Sequence, residues 1–271
     1  MIISHKNQFT LLRVPKTGST SLEASVRFCG AVDATDICSK TEDAYLPMQN
    51  IPEYKKQVRL HKEMHSIAER KNKIGMDLTE QEKQCLRDKS RWMLFFEHNT
   101  LDDIMDIDFW SHFGLINHKQ IMTYRHYGFI REPIERYVSS FIFYQVWKGR
   151  RLGKTLPITI QSFHDFTYNE LKTNDNILFR PQVDWFHYRG ENIVKPLIFD
   201  NWANEASRMI TELGFHPLSV YPRFKQDGGA QKRFPKGNPK AKDFIDPFPD
   251  IKKFINEHFQ EDIDFYHSCR R

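Results

Sequence analysis

Seven consecutive residues near the amino terminus have the composition of an anion-binding loop. They read Pro15-Lys16-Thr17-Gly18-Ser19-Thr20-Ser21 and combine one lysine and one glycine with four hydroxyl side chains. Hydroxyls and backbone N–H groups donate hydrogen bonds to phosphate or sulfate oxygens, and a lysine adds a positive charge. The composition therefore predicts a binding site for an anionic group.

The residues around this loop predict a strand before it and a helix after it. Phe9 to Val14 is a mostly apolar run of strand length, and Leu22, Val26 and Cys29 recur at helical spacing. The loop is thus expected at the positive end of a helix, where unpaired N–H groups and the helix dipole stabilise an anion. It is not a Walker A motif, because Lys16 precedes the only glycine of the loop.

A second strand-loop-helix unit is predicted from Gln120 onward. The stretch from Gln120 to Ile130 is predicted to contain a strand, which ends with Tyr127 to Ile130 and leads into Arg131. Pro133 fits the first position of a helix because its missing N–H would be unpaired there anyway. The helix is expected to reach about Trp147 and contains Ser139. A guanidinium and a hydroxyl can therefore converge on a second anionic group.

Strands that alternate with helices predict an α/β fold, with a central parallel sheet flanked by helices. A further strand is expected at Ile193 to Phe199, a helix from about Trp202 to Leu213 that Gly214 ends, and a last helix near Asp250 to Phe259. Ligands of such sheets bind at the carboxyl ends of the strands, where both anion loops fall. We therefore expect one ligand to contact both loops.

Both loops resemble motifs of the sulfotransferase family. Arg13 to Ser21 is similar to the 5′-phosphosulfate loop of its carbohydrate-modifying branch, and Phe129 to Ser140 is similar to its 3′-phosphate motif. The resemblance implies a P-loop-like three-layer fold. It also implies transfer of a sulfuryl group from 3′-phosphoadenosine-5′-phosphosulfate (PAPS) to an acceptor hydroxyl on a carbohydrate, with 3′-phosphoadenosine-5′-phosphate (PAP) as the product and no metal.

The resemblance assigns roles to individual residues of the two loops. Pro15, Lys16 and the residues Thr17 to Ser21 would hold the 5′-phosphosulfate. Arg131 together with Ser139 would hold the 3′-phosphate. These assignments give the two predicted anion sites to the two ends of one molecule.

Three further segments show a weaker similarity to the family. Gly228 to Gly237 is similar to a basic loop that closes over the donor, in which Lys232, Arg233 or Lys236 would contact phosphate; a plain surface segment is the alternative. Phe179 to Gln182 and Asp262 to Tyr266 resemble a short family element and the usual carboxyl-terminal ending. The resemblance assigns no role to these last two segments.

Sulfuryl transfer also needs a base for the acceptor proton and positive charge at the leaving phosphate. Glu97 and His98 follow the apolar run Arg91 to Phe96, which predicts a buried strand. His98 is the preferred base because an ordinary histidine has a pKa near 6.5, whereas Glu97 would need a pKa raised by burial. A capping or surface role for His98 is the alternative. Lys16, with an ordinary lysine pKa near 10.4, suits charge stabilisation.

The acceptor side is less defined by the sequence. Residues 30–90 and 145–190 are expected to be insertions on the substrate side. Aromatic residues in and after the second motif can stack on adenine or on a sugar ring, or can belong to the core: Phe141, Phe143, Tyr144, Trp147, Trp185, Phe186 and Tyr188. The basic run Lys148 to Arg151 suits an acidic acceptor.

Length and composition limit the number of domains, the class of ligand and the expected location of the protein. The 271 residues suit one domain, and a net charge of +5 suits an anionic ligand but is too small to imply nucleic acid. The first strand begins within ten residues of Met1, which leaves no room for a signal peptide. No run approaches the ~18 apolar residues of a membrane span. A cytoplasmic location is expected.

Two other functions are alternatives for a protein with an anion-binding loop of this kind. A P-loop kinase or phosphotransferase would need Mg²⁺ and the Walker spacing of lysine and hydroxyl, which the loop lacks. A non-catalytic module that binds sulfate or a phosphonucleotide would keep both anion loops without a base.

Overall fold

The computed structural model describes residues 1–32, 36–38, 79, 98, 100–105, 117–171, 176–222 and 240–270. Four features named above therefore lie outside the described residues: the predicted strand from Arg91 to Phe96, Glu97, the segment from Gly228 to Gly237 with Lys232, Arg233 and Lys236, and most of the proposed insertion at 30–90.

A five-stranded sheet forms the centre of the fold. Its strand order is β3-β1-β2-β4-β7, and a separate hairpin pairs β5 with β6. The strand bounds are β1 (Ile2–Ser4), β2 (Phe9–Leu12), β3 (Ile37–Cys38), β4 (Arg125–Ile130), β5 (His187–Tyr188), β6 (Glu191–Asn192) and β7 (Val194–Ile198). The strand expected at Ile193 to Phe199 is thus confirmed as β7.

The sheet is mixed rather than wholly parallel. The strands β2, β4 and β7 run parallel, as predicted, with Leu12 opposite Gly128 and Gly128 opposite Pro196. In contrast, β1 is antiparallel to both β2 and β3. The short connection explains the antiparallel direction of β1 relative to β2, because only residues 5–8 separate the two strands. Such a short link allows an antiparallel turn but not the crossover that parallel strands need.

Helices follow the strands through most of the described chain. Their bounds are α1 (Ser19–Phe28), α2 (Leu101–Met105), α3 (His118–Ile121), α4 (Pro133–Arg151), α5 (Ile160–Asn169), α6 (Trp202–Glu212), α7 (Ala241–Ile245), α8 (Pro249–His258) and α9 (Gln260–Cys269). Two 3₁₀ segments cover Gln182–Trp185 and Phe199–Asn201. None of the helices in the described ranges is long and apolar enough to cross a membrane.

Both predicted strand-loop-helix units are present. The strand β2 leads into α1, and β4 leads into α4, which begins at Pro133 and extends a turn beyond Trp147. Gly214 follows α6 with a φ of 86°, so the predicted glycine end of this helix is also confirmed. Because β2 and β4 are adjacent and parallel, their loops leave the same edge of the sheet.

Helices cover both faces of the sheet. On one face, Phe9, Leu11 and Phe129 pack against α1 and α6. On the other face, Leu12 and Ile130 pack against the segment Gln182–Trp185 and against α9. A separate apolar cluster joins α4, α5, α7 and α8. The last helix predicted, near Asp250 to Phe259, is α8, and α9 follows it at once.

Candidate functional site

The first loop has the local geometry of a helix amino terminus. Thr17 Oγ1 donates a hydrogen bond of 2.9 Å to the carbonyl of Val14 and thereby closes the loop. The first hydrogen bond at the start of α1 runs from Ser21 N–H to the carbonyl of Gly18 at 3.0 Å. The N–H groups of Ser19 and Thr20 precede this ladder and point out of the helix end. These donors suit an anionic group.

Gly18 is required by the conformation and by the neighbours of the loop. Its φ of 76° is in the left-handed region that side chains other than glycine's rarely adopt. A Cβ atom at this position would lie 2.9 Å from Phe199 Cε2 and 3.0 Å from Trp202 Nε1. The loop therefore packs directly against the start of α6.

Arg13 supports the loop from behind. Its side chain is buried, and its Nη1 lies 3.2 Å from Glu23 Oε2 on α1. Its Nη2 donates a hydrogen bond of 2.9 Å to Thr20 Oγ1. Because a guanidinium can only donate, Thr20 Oγ1 accepts this bond and keeps its own hydrogen for another acceptor. Arg13 thus orients Thr20 as a donor.

Arg131 brings the second motif into contact with the first. Its Nη1 donates to the carbonyl of Lys16 at 3.4 Å, and its guanidinium lies 4.8 Å from the ring centroid of Phe199. Its backbone is held on both sides by Gln182, whose Oε1 accepts from Arg131 N at 3.0 Å and whose Nε2 donates to Arg131 O at 2.8 Å. The family-like element around Gln182 therefore fixes the position of Arg131.

Ser139 lies on the face of α4 that borders both loops. It is half-buried and is one turn from Glu135 and one turn from Phe143. Glu135 Oε2 accepts from Arg131 Nη2 at 3.0 Å, and the Phe143 ring centroid lies 4.6 Å from Lys16 Nζ. Ser139 therefore lies between Glu135, which contacts Arg131, and Phe143, which contacts Lys16.

Arg136 joins the two motifs from inside the protein. Its buried side chain donates to the carbonyl of Pro15 at 3.1 Å and to the carbonyl of Arg180 at 2.8 Å. It also faces Asp262 on α9 at 4.0 Å, and Asp262 Oδ1 accepts from Val183 N–H at 2.9 Å. Burial lowers the pKa of Arg136 to about 10 and raises the pKa of Asp262. The guanidinium therefore stays charged at neutral pH.

His98 lies beside the first loop. Its Nδ1 is 2.7 Å from the carbonyl of Arg13, and its own carbonyl accepts from Trp185 Nε1 at 3.0 Å. Since a carbonyl can only accept, Nδ1 carries the hydrogen and the neutral imidazole has its lone pair on Nε2. This tautomer is the one that a base acting through Nε2 requires.

The aromatic residues divide between the core and the surface. Phe141 is fully buried and lies 5.1 Å from Phe163, centroid to centroid, and Trp185 and Phe186 are also buried. Phe143 and Trp147 on α4 are exposed to 39% and 38%. Phe141, Trp185 and Phe186 therefore belong to the core. Phe143 and Trp147, in contrast, expose a substantial part of their rings to solvent.

The donor set fits a ligand with two anionic ends. Lys16, the amino terminus of α1 and Arg131 supply positive charge and N–H groups at one edge of the sheet. The Nε of Arg131 and the hydroxyl of Ser140 are buried and have no hydrogen-bond partner in the described part of the chain. An unpaired buried donor on Arg131 is costly in isolation and is expected where a ligand supplies the acceptor.

The described residues contain no group of three His, Cys, Asp or Glu side chains that could hold a metal ion.

An open cavity of about 450 Å³ lies at the opposite end of the sheet, and its lining includes Arg125, His126, Lys195 and Glu212. Its Lys195 is already paired with Glu212 at 2.7 Å. Neither anion loop contributes to this cavity.

Comparison with known proteins matches the chain to a family. A family model described as "Sulfotransferase family" matches residues 1–267. No curated protein and no solved structure matches the chain.

Proposed function

This chain belongs to the sulfotransferase family, and we propose that it transfers a sulfuryl group from PAPS to a hydroxyl of a carbohydrate acceptor. The contact between Arg131 and the carbonyl of Lys16 carries this proposal, because it joins a loop suited to one anion with a cation suited to a second. PAPS has two such ends, the 5′-phosphosulfate and the 3′-phosphate. A ligand with one anionic end would leave one of these sites without a partner.

The proposed contacts follow from the donors at each loop. Lys16, the N–H groups at the start of α1 and the Thr20 hydroxyl would bind the 5′-phosphosulfate. Arg131 and Ser139 would bind the 3′-phosphate. The carboxylate of Glu135, which pairs with Arg131, is 53% exposed. Exposed ion pairs contribute little, so Arg131 can exchange this partner for a phosphate at low cost.

When bound, PAPS supplies a sulfuryl group whose bond to the 5′-phosphate oxygen breaks as its bond to the acceptor oxygen forms, which leaves PAP. In our proposal His98 Nε2 takes the proton of the acceptor hydroxyl. Lys16 stabilises the negative charge that develops on the phosphate oxygen. The hydrogen bond from His98 Nδ1 to Arg13 O keeps the imidazole in the tautomer that this step needs.

We also propose that the fold is a P-loop-like fold and that residues 1–271 form one domain. Two adjacent parallel strands that each lead through a loop into a helix support this proposal. The coverage of both sheet faces by helices supports it as well.

The variant Arg131→Met tests the proposed 3′-phosphate site. We expect it to weaken PAP binding about 10- to 100-fold, since a hydrogen bond to a charged group contributes about 1.5–3 kcal/mol. Adenosine 5′-monophosphate, which lacks the 3′-phosphate, should bind equally to both proteins. Calorimetry with the two nucleotides measures the difference. Arg208→Met removes an arginine that pairs with Glu205 and Glu212 on α6 and serves as the matched control. Equal loss of both nucleotides would contradict the assignment.

The variant Lys16→Met tests the role of the lysine in the transfer step. We expect kcat to fall about 10²- to 10³-fold, the usual effect of losing one donor at a developing negative charge. Methionine keeps most of the side-chain length, and the left-handed φ of 67° is equally unfavourable for both residues. Transfer from radiolabelled PAPS measures the rate. Lys253→Met, on the exposed surface of α8, is the control. A variant with unchanged kcat would exclude Lys16 from the reaction.

A further inference from the structure

The short 3₁₀ segment Gln182–Trp185 contacts both Arg131 and His98. At its first residue, the buried side chain of Gln182 uses both ends of its amide on the backbone of Arg131, at 3.0 Å to the N–H and at 2.8 Å to the carbonyl. At its last residue, Trp185 Nε1 donates to the carbonyl of His98 at 3.0 Å. These two ends lie only about 6 Å apart along the axis of a 3₁₀ helix. One turn of backbone therefore holds both the proposed 3′-phosphate arginine and the proposed base.

The segment is itself fixed to the interior of the protein. Pro181, whose ring restricts φ, precedes it. The N–H of Val183 donates to Asp262 Oδ1 on α9 at 2.9 Å, and the carbonyl of Arg180 accepts from Arg136 Nη2 on α4 at 2.8 Å. Because its backbone is bonded to two helices, the segment keeps the side chains at its two ends at a constant spacing.

His98 is held at two points that belong to different parts of the fold. Its Nδ1 donates to the carbonyl of Arg13 at 2.7 Å, and its own carbonyl accepts from Trp185. With either bond alone, the residue can still pivot about the remaining contact. Trp185 is fully buried and packs in one apolar cluster with Leu12 and Val14. The second bond to His98 therefore comes from a ring that the core holds in place.

The spacing between base and donor matters for the transfer step. A displacement of about 1 Å between reacting groups can lower a rate about 100-fold. Arg131 determines where the 3′ end of the proposed donor lies, and His98 Nε2 determines where the acceptor proton goes. Since one segment holds both residues, it sets the position of the base relative to the donor.

We propose that Gln182 and Trp185 are positioning residues for the transfer reaction, with Gln182 acting through Arg131 and Trp185 acting through His98. The inference rests on the proposed sulfuryl transfer from PAPS. Each side chain acts on the backbone of the residue that it holds. The two residues therefore affect different quantities: Gln182 affects PAP affinity, and Trp185 affects kcat.

The variant Gln182→Met tests the first half of the inference. It keeps the length of the side chain and removes both hydrogen bonds to Arg131. We expect PAP affinity to fall about tenfold, the scale of one or two lost hydrogen bonds, while affinity for adenosine 5′-monophosphate is unchanged. In the Arg131→Met background the substitution should cause no further loss, because the guanidinium through which it acts is absent. Calorimetry measures both affinities. Gln161→Met, which removes an exposed glutamine bonded to Asp165, is the matched control.

Two variants of Trp185 test the second half. Trp185→Phe keeps a buried ring but removes the donor to His98, and we expect kcat to fall about 10- to 100-fold with PAP affinity unchanged. Trp185→His has a smaller ring, but its Nε2–H can occupy the place of the indole N–H, so it should retain more kcat than Trp185→Phe. A role in packing alone predicts the reverse order, because phenylalanine fills more of the space. In the His98→Asn background neither variant should lower kcat further.

Tyr127→Phe is the matched control for Trp185→Phe. Tyr127 is buried beside the cavity at the opposite end of the sheet, and its hydroxyl donates to Glu212 Oε2 at 3.2 Å. Its loss removes one hydrogen bond of a buried ring but should leave kcat and PAP affinity unchanged. Urea denaturation establishes that each variant is folded under the assay conditions. Hydrogen exchange of the Trp185 indole N–H needs no variant, and slow exchange is expected in wild type.

The outcomes distinguish this inference from the proposed function. If wild type neither binds PAP nor transfers sulfate from PAPS, the proposed function fails and the positioning fails with it. If wild type is active but Trp185→Phe keeps its kcat, or lowers kcat equally in the His98→Asn background, Trp185 does not act through His98. If Gln182→Met weakens both nucleotides equally, or weakens PAP further in the Arg131→Met background, Gln182 does not act through Arg131. Fast exchange of the indole N–H would overturn the role of Trp185 directly.

Discussion

Replacing His98 by asparagine is expected to lower kcat about 10²- to 10⁴-fold while PAP affinity stays near that of wild type. This range is the usual contribution of a positioned general base. Asparagine retains an N–H that can occupy the place of His98 Nδ1 and donate to the carbonyl of Arg13. It has no group in the place of Nε2 that can accept the acceptor proton. The variant therefore removes the base and preserves its anchor.

The pH dependence of the reaction adds a second readout for His98. A base must be unprotonated, so kcat/KM of wild type should fall as the pH is lowered and the imidazole takes up a proton. The asparagine variant should lack this acid limb. Rate measurements across the acidic range, with PAP binding measured at each pH, distinguish loss of the base from loss of the donor.

A matched control and a rival residue make the His98 test decisive. His216→Asn alters an exposed histidine after α6 and should change neither rate nor pH profile. Glu97 remains the alternative base. A wild-type rate in His98→Asn together with a large loss in Glu97→Gln would transfer the role to the glutamate.

The structure agrees with the sequence patterns most closely where a local pattern determines a local structure. The loop from Pro15 to Ser21 and the helix start at Pro133 were predicted from composition and spacing, and β2, α1, β4 and α4 lie where these patterns place them. The parallel pairing of β2 with β4 then puts both loops at one edge of the sheet. The contact of Arg131 with Lys16 follows from this arrangement.

The antiparallel edge of the sheet was not predicted. Ile2 to Ser4 is only three residues long, too short for a periodic pattern to be recognised. Its direction depends on the turn at residues 5–8, and its hydrogen bonds to β2 are visible only in the folded chain. Short strands are specified by their partners more than by their own residues.

The buried charges around the loops were also missed. Arg13, Arg136 and Asp262 look like surface residues in the sequence, because charged side chains are almost never fully buried without a partner. Arg13 pairs with Thr20 and Glu23, which lie close to it in the chain. The partners of Arg136, the carbonyl of Pro15 and the carboxylate of Asp262, are distant in the chain, and only the fold brings them together.

Replacing Arg136 by methionine is expected to lower the free energy of unfolding by about 3–5 kcal/mol, the usual cost of removing one partner of a buried ion pair. The change leaves the carboxylate of Asp262 buried without a counter-ion. It also removes the donors to the carbonyls of Pro15 and Arg180. Urea denaturation of wild type and variant measures the difference.

Two further variants identify the cause of this loss. Arg180→Met removes a partly exposed arginine that pairs with Asp184 and Asp103, and it should cost only about 1 kcal/mol because solvent screens such pairs. Adding Asp262→Asn to Arg136→Met should recover part of the stability, since it removes the uncompensated charge but not the loss at Pro15.

The carbonyl of Pro15 links this stability effect to the proposed function. Because Arg136 holds the first loop from a helix of the second motif, its loss should loosen the 5′-phosphosulfate site even where the variant is folded. We therefore expect PAP affinity to remain low in the double variant after stability has partly recovered. If stability and affinity recover together, Arg136 acts only on folding. If Arg136→Met costs less than about 1 kcal/mol, the buried link between the two motifs does not have the role assigned to it.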